Sequence, residues 1–95
     1  MTVEFVNDCA ATISCFIQWD GGGSGQIVIA AGGLVSIDIS NLGIVPGDSC
    51  WPRLYVQDGP VHDSGDCFVF QDSPATVTYT ITGSVDSPSL SCSGC

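Results

Sequence analysis

The sequence predicts an all-β fold, a small antiparallel β-sandwich of about seven strands, disulfide-stapled and without significant helix. Three observations predict it. Apolar residues recur with a period of two along most of the chain, the period of a half-buried strand. Clusters of Gly, Pro, Asn and Asp interrupt that period every ~8–12 residues. Six cysteines stand in 95 residues, an even number in a chain too short to bury a large core.

Residues 2–7 alternate, with Val3 and Phe5 on one face. Residues 12–19 place Ile13, Cys15, Ile17 and Trp19 together. The run Asp20-Gly21-Gly22-Gly23-Ser24-Gly25 then reads as a flexible hairpin loop. Ile27 and Ile29 mark a strand over 26–30, and Ala31-Gly32-Gly33 a tight connection. Val35, Ile37 and Ile39 mark a strand over 33–40. Residues 41–49 hold Asn-Leu-Gly and Pro-Gly-Asp turn signals. In 50–57, Leu54 and Val56 oppose Trp51, Arg53 and Tyr55; Pro52 implies an edge strand or one that begins after it. Asp58-Gly59-Pro60 is a turn, Phe68 and Phe70 share a face in 66–71, and Gln71-Asp72-Ser73-Pro74 is another turn. Residues 75–83 alternate most regularly, with Val77, Tyr79 and Ile81 against Thr76, Thr78, Thr80 and Thr82. The threonine row is the pattern of a solvent-facing strand side, or of a flat array that meets an ordered surface. Residues 1–95 form one domain, of which 84–95, rich in Ser, Pro and Gly, are an extended, disulfide-anchored tail.

The charge balance narrows the function. Ten acidic residues stand against one arginine and no lysine, a formal net charge of −9. Nucleic acid is excluded as a partner, because phosphate neutralisation needs clustered Lys and Arg. An anionic membrane surface is excluded for the same reason. Charged residues make up only 12% of the chain, against ~25% in ordinary domains, and 44% hydrophobic residues argue against disorder. No apolar run approaches the ~18 residues of a spanning helix. Met1-Thr2-Val3-Glu4-Phe5 lacks the basic region and cleavage site of a signal peptide. The cysteine content nevertheless points to an oxidising, extracellular destination.

Cys50 and Cys67 stand at matching ends of a hairpin-like excursion and are expected to pair. Cys9 and Cys15 then capture Cys92 and Cys95, holding the tail against the first two strands. Two other uses compete. Cys92-x-x-Cys95 has redox spacing, but no helix follows to lower a thiol pKa. Cys9, Cys15, Cys92 and Cys95 could bind zinc tetrahedrally, although the first two are more widely spaced than a usual knuckle.

The candidate ligand-binding residues are Trp51, Arg53, Tyr55, Asp58 and His62. On a strand, Trp51, Arg53 and Tyr55 share one face, and aromatic rings and Arg dominate binding hot spots. An aromatic face stacks on the C–H face of a sugar while carboxylates accept from its hydroxyls. The competing reading places a ring of Trp51 or Tyr55 in the core. His62 is the single histidine, and one short loop cannot supply base, nucleophile and oxyanion hole, so no enzyme is expected. Asp58, Asp63 and Asp66 are candidate ligands for Ca²⁺ as a cofactor. Their spacing is not that of an EF-hand, and aspartates also favour turns by bonding local backbone.

The opening Val3-Glu4-Phe5-Val6-Asn7-Asp8-Cys9, followed by Ala11-Thr12-Ile13, resembles the start of thaumatin-like proteins. The resemblance implies a secreted β-sandwich whose first cysteine is tied to the C-terminus. It ends there: this chain is much shorter, has far fewer cysteines, lacks an acidic-cleft motif and inherits no functional residue.

These readings converge on a non-enzymatic, secreted binding module, lectin-like or a host-directed effector. Its expected partner is a glycan or a protein surface, met through the Trp51/Arg53/Tyr55 face and the acidic loop. The alternative is a self-assembling extracellular subunit, a homo-oligomer of filament or coat type, because a soluble monomer ordinarily carries more charge.

Overall fold

The computed structural model describes residues 1–56, 61–63, 68–83 and 88–94, the side chains of 56, 61–63 and 88 aside. The chain is mostly β and forms two sheets. Its strands are β1 Thr2–Asn7, β2 Ile13–Trp19, β3 Gly22–Gly23, β4 Ile27–Ile29, β5 Leu34–Asp38, β6 Ser49–Val56, β7 Val61–Asp63, β8 Phe68–Val69, β9 Thr76–Gly83 and β10 Pro88–Ser93. The first sheet has the order β10-β9-β1-β5. The second runs β3-β2-β6-β7, with β4 also on β2 and β8 also on β6. The one helical turn among the described residues is a 3-10 turn, Ile39–Asn41, whose first free N–H, that of Ser40, is bonded by the Asp38 side chain at 2.9 Å.

Alternation decides which faces meet. Val3, Phe5, Val77, Tyr79 and Ile81 from the first sheet are buried in one cluster with Ile13, Cys15, Ile17, Ile29, Leu54 and Phe68 from the second. Phe5 stacks on Tyr79, its register partner, with ring centroids 5.6 Å apart. Phe68 reaches Tyr79 from the other sheet at 6.2 Å.

Four expectations are corrected. The fold is not wholly antiparallel, because β1 and β9 pair in parallel; the long excursion through the second sheet supplies the crossover that a parallel pair requires. Strands outnumber the expected seven. Gly22–Gly23, Val61–Asp63 and Pro88–Ser93 join ladders where loop or tail was expected. In the tail, Leu90 and Cys92 turn toward the core while Ser89, Ser91 and Ser93 are exposed, so 88–93 carries the period of a strand. Lastly, β6 neither lies at an edge nor begins after Pro52. Pro52 sits inside it, opposite Ile17. The Ile17 N–H and C=O are engaged away from β6, with Ser24 at 2.9 and 2.8 Å. The pair is therefore one that exchanges no ladder bond. On its other flank, β7 covers Arg53–Tyr55 and β8 covers Ser49–Cys50, so Pro52 falls in the gap where no N–H is needed.

The expected bridges from Cys9, Cys15 and Cys50 are also absent: all three are buried thiols. Cys50 is registered against Phe68, not against the neighbouring Cys67, and a one-residue offset changes the face. Cys15 lies in the second sheet opposite Leu54 and Ile27, whereas Cys92 lies in the first, opposite Tyr79. The Cys9 sulfur contacts the Gly83 carbonyl at 3.6 Å. Gly83 is four residues along β9 from Tyr79, or ~13 Å at strand rise, beyond the ~7 Å reach of a disulfide. Cys92 is disulfide-bonded to a partner outside the described residues.

Candidate functional site

The candidate site lies on the outer face of the second sheet. Pro52 and Leu54 are buried, and the pleat turns Trp51, Arg53 and Tyr55 the other way, where all three are half-buried. None of the three fills the core. The neighbouring strand adds its own alternate residues through the register Ser14↔Tyr55, Phe16↔Arg53 and Gln18↔Trp51. Phe16 thus stands opposite Arg53, with Trp51 and Tyr55 on its diagonals, within reach of aromatic side chains. Its ring centroid is 5.9 Å from that of Tyr55, tilted by 34°. From beside β4, Gln26 reaches over with its amide nitrogen, which donates to Ser14 Oγ at 2.9 Å and to Tyr55 Oη at 3.3 Å. The result is an aromatic strip edged by amides and hydroxyls.

Sequence reasoning placed Trp51, Arg53 and Tyr55 on one face but missed Phe16, Ser14, Gln18 and Gln26. A signal for Phe16 was present: it is the one aromatic on the otherwise polar side of residues 13–19. Nothing in the sequence showed that this side would lie beside Arg53, because that depends on the β2–β6 register.

On its far flank β6 carries β7, with Asp63 registered against Arg53, His62 against Leu54 and Val61 against Tyr55. Asp58 and Asp66 lie outside the described residues, as do Cys67 and Cys95, and the side chains of His62 and Asp63 are not described. The expected Ca²⁺ loop therefore lies largely outside the described residues. Among the described residues, no three His, Cys, Asp or Glu side chains gather as metal ligands. Burial pushes the Cys15 thiol up to about 12. Burial and the nearby Asp48 carboxylate raise Cys50 to about 11. Both are protonated at neutral pH, and so are poor nucleophiles and poor zinc ligands.

The threonine row faces outward from the first sheet, with Thr76 and Thr82 exposed and Thr78 and Thr80 half-buried. β10 sets Ser89, Ser91 and Ser93 against Thr82, Thr80 and Thr78. On the other side, Thr2, Glu4 and Val6 of β1 meet Thr76, Thr78 and Thr80. The β9–β10 half of this face is uncharged hydroxyl.

Compared with models of known protein families, with curated proteins and with solved structures, the chain matches none.

Proposed function

We propose that this chain is a non-enzymatic, secreted binding module of β-sandwich build. It recognises a neutral ligand, by preference a glycan, through the outer face of its second sheet. One observation carries the reading: Trp51, Arg53 and Tyr55 stay half-buried and outward while Phe16 closes to 5.9 Å from Tyr55. Rings at this exposure offer apolar faces to sugar C–H groups. The amides of Gln18 and Gln26 and the hydroxyl of Tyr55 suit sugar hydroxyls, while Ser14, buried beneath, holds the Gln26 amide in place. A net charge of −9 disfavours anionic partners. The sandwich build is supported by the single core to which both sheets contribute. Support for secretion from the cysteines narrows to the Cys92 disulfide, since Cys9, Cys15 and Cys50 are thiols.

A glycan array followed by calorimetry tests the reading. Trp51→Ala is expected to keep the strand circular-dichroism signal and to weaken binding by ~2 kcal/mol or more if the ring is a hot spot. A folded Trp51→Ala protein that binds every glycan hit unchanged would remove this face from consideration.

A second reading, a self-assembling subunit, is favoured by apolar side chains left in solvent. Leu34 and Val28 are each 57% exposed.

A further inference from the structure

We propose that the first sheet joins a second copy of this chain edge to edge, β5 of one copy against β10 of the next. This rests on the self-assembly reading and is independent of the glycan reading. The two sheets end differently. Along the second, the bordering strands among the described residues are two or three residues long: β3, β4, β7 and β8. Very short edge strands are one of the devices that prevent edge-to-edge pairing. The first sheet lacks that protection, since β5 has five residues and β10 has six.

The outer side of β5 offers backbone that no other strand pairs among the described residues. Asn7 N–H donates to Gly33 C=O at 2.9 Å, and Ile39 N–H donates to Met1 C=O at 3.0 Å. With Phe5 opposite Val35 and Val3 opposite Ile37, the two-residue alternation of an antiparallel ladder assigns Val35 and Ile37 to β1. The N–H and C=O groups of Leu34, Ser36 and Asp38 then point away from the sheet. β5 is the last strand on that side among the described residues. The usual guards are missing. Leu34–Asp38 contains no Pro, and the chain contains no Lys. The single charge, Asp38, lies at the strand's end, where it accepts from Ser40 N–H and sits 4.0 Å from the N-terminal ammonium.

β10 is the complementary edge. It carries no charge, and its proline is its first residue, where proline is tolerated. β5 is antiparallel to β1, β9 is parallel to β1, and β10 is antiparallel to β9. β5 and β10 therefore run the same way, and simple translation of a copy sets them side by side as a parallel pair. The half-buried Val35 and Ile37 on one edge and Leu90 on the other then cover one another on the core-facing side. Pairing β5 with β5 instead would bring two Asp38 carboxylates to one junction. A contact between two different edges is heterologous, and when the copies are related by translation, without a closing rotation, it propagates as a filament. The charge of −9 per copy opposes this at low ionic strength, so salt promotes it.

The test is light scattering and negative-stain microscopy of the full chain across a protein-concentration series in low and moderate NaCl. The wild type should form elongated species that grow with concentration and salt. Leu34→Lys places a charge on the edge at an exposed position. Ser36→Pro removes an outward N–H that no ladder among the described residues uses. Both are expected to abolish the elongated species while retaining the strand circular-dichroism signal. Val28→Lys, equally exposed but on β4, and Trp51→Ala should assemble as the wild type does. Assemblies that survive both folded edge variants, or that Val28→Lys dissolves, would overturn the edge proposal and leave self-assembly standing. A wild type that stays monomeric throughout would overturn both. Should one edge variant fail to fold, the other decides.

Discussion

The side chain of Asn7 donates a hydrogen bond of 3.0 Å to the main-chain carbonyl of Ile29, and so ties the first sheet to the second. The same amide nitrogen reaches the carbonyls of Ala11 at 2.9 Å and Ala30 at 3.2 Å, while Oδ1 accepts from Cys9 N–H at 3.0 Å. Asn7 is fully buried at the end of β1, on the core-facing side with Val3 and Phe5. An aliphatic residue there would take this donor from the Ala11 and Ile29 carbonyls and this acceptor from Cys9 N–H, whereas the Ala30 carbonyl keeps its bond from Gly33 N–H at 2.8 Å.

Asn7→Ala is therefore expected to destabilise the fold by ~2–4 kcal/mol, since each orphaned buried group costs ~1–3 kcal/mol. Chemical denaturation measures it. Asn7→Asp adds a pH signature. A carboxylate facing three carbonyls is held protonated, so its folded pKa lies above the unfolded ~3.9. Its stability relative to wild type should be greatest below pH ~4 and fall as pH rises through the folded pKa. A flat difference between the two proteins from pH 3 to 7 would contradict the assignment.

The thiols make a second prediction. Native protein should resist alkylation at Cys9, Cys15 and Cys50, all of which are buried. Denaturation without reductant should expose all three, as read by mass spectrometry. The folded pKa of Cys15, about 12, lies above its ordinary value of 9.0, as does that of Cys50, about 11. Stability from these thiols is fully present below pH 9 and is lost as pH rises through the folded values, because the unfolded chain ionises first. Cys15→Ala should lower Tm at pH 7 through its cavity, yet lose less stability than wild type between pH 8 and 11.

Salt provides the third. With −9 net charge and one arginine, carboxylates mostly repel one another. Raising NaCl to moderate concentration, where the Debye length is ~8–10 Å, should raise Tm at protein concentrations too low for assembly. A falling Tm would indicate that favourable ion pairs dominate.

The fourth concerns the aromatic strip. Phe16→Ala removes the ring beside Tyr55 but no core contact, as Phe16 lies on the outer face. It should weaken ligand binding alongside Trp51→Ala while shifting Tm only slightly. In contrast, Phe5→Ala, which removes the ring stacked on Tyr79, should cost ~3–5 kcal/mol.

What the residues determine locally was legible. Side chains alternate faces along a strand, so Val77/Tyr79/Ile81 against the threonines, and Leu54 against Trp51, Arg53 and Tyr55, follow from period alone. Net charge and the scarcity of cations are likewise properties of the chain, whatever its fold. Pairing is different, because it joins residues far apart in sequence. That β1 would lie parallel to β9, that Phe16 would face Arg53, and that Cys50 would meet Phe68 one residue from Cys67 are matters of register. A shift of a single residue exchanges every face. The disulfide expectation failed at that step, since counting cysteines says nothing about which sheet each occupies. Asn7 shows the same division: it reads as one polar residue ending a strand, and only the approach of Ala11, Ile29 and Ala30 makes it the tie between two sheets.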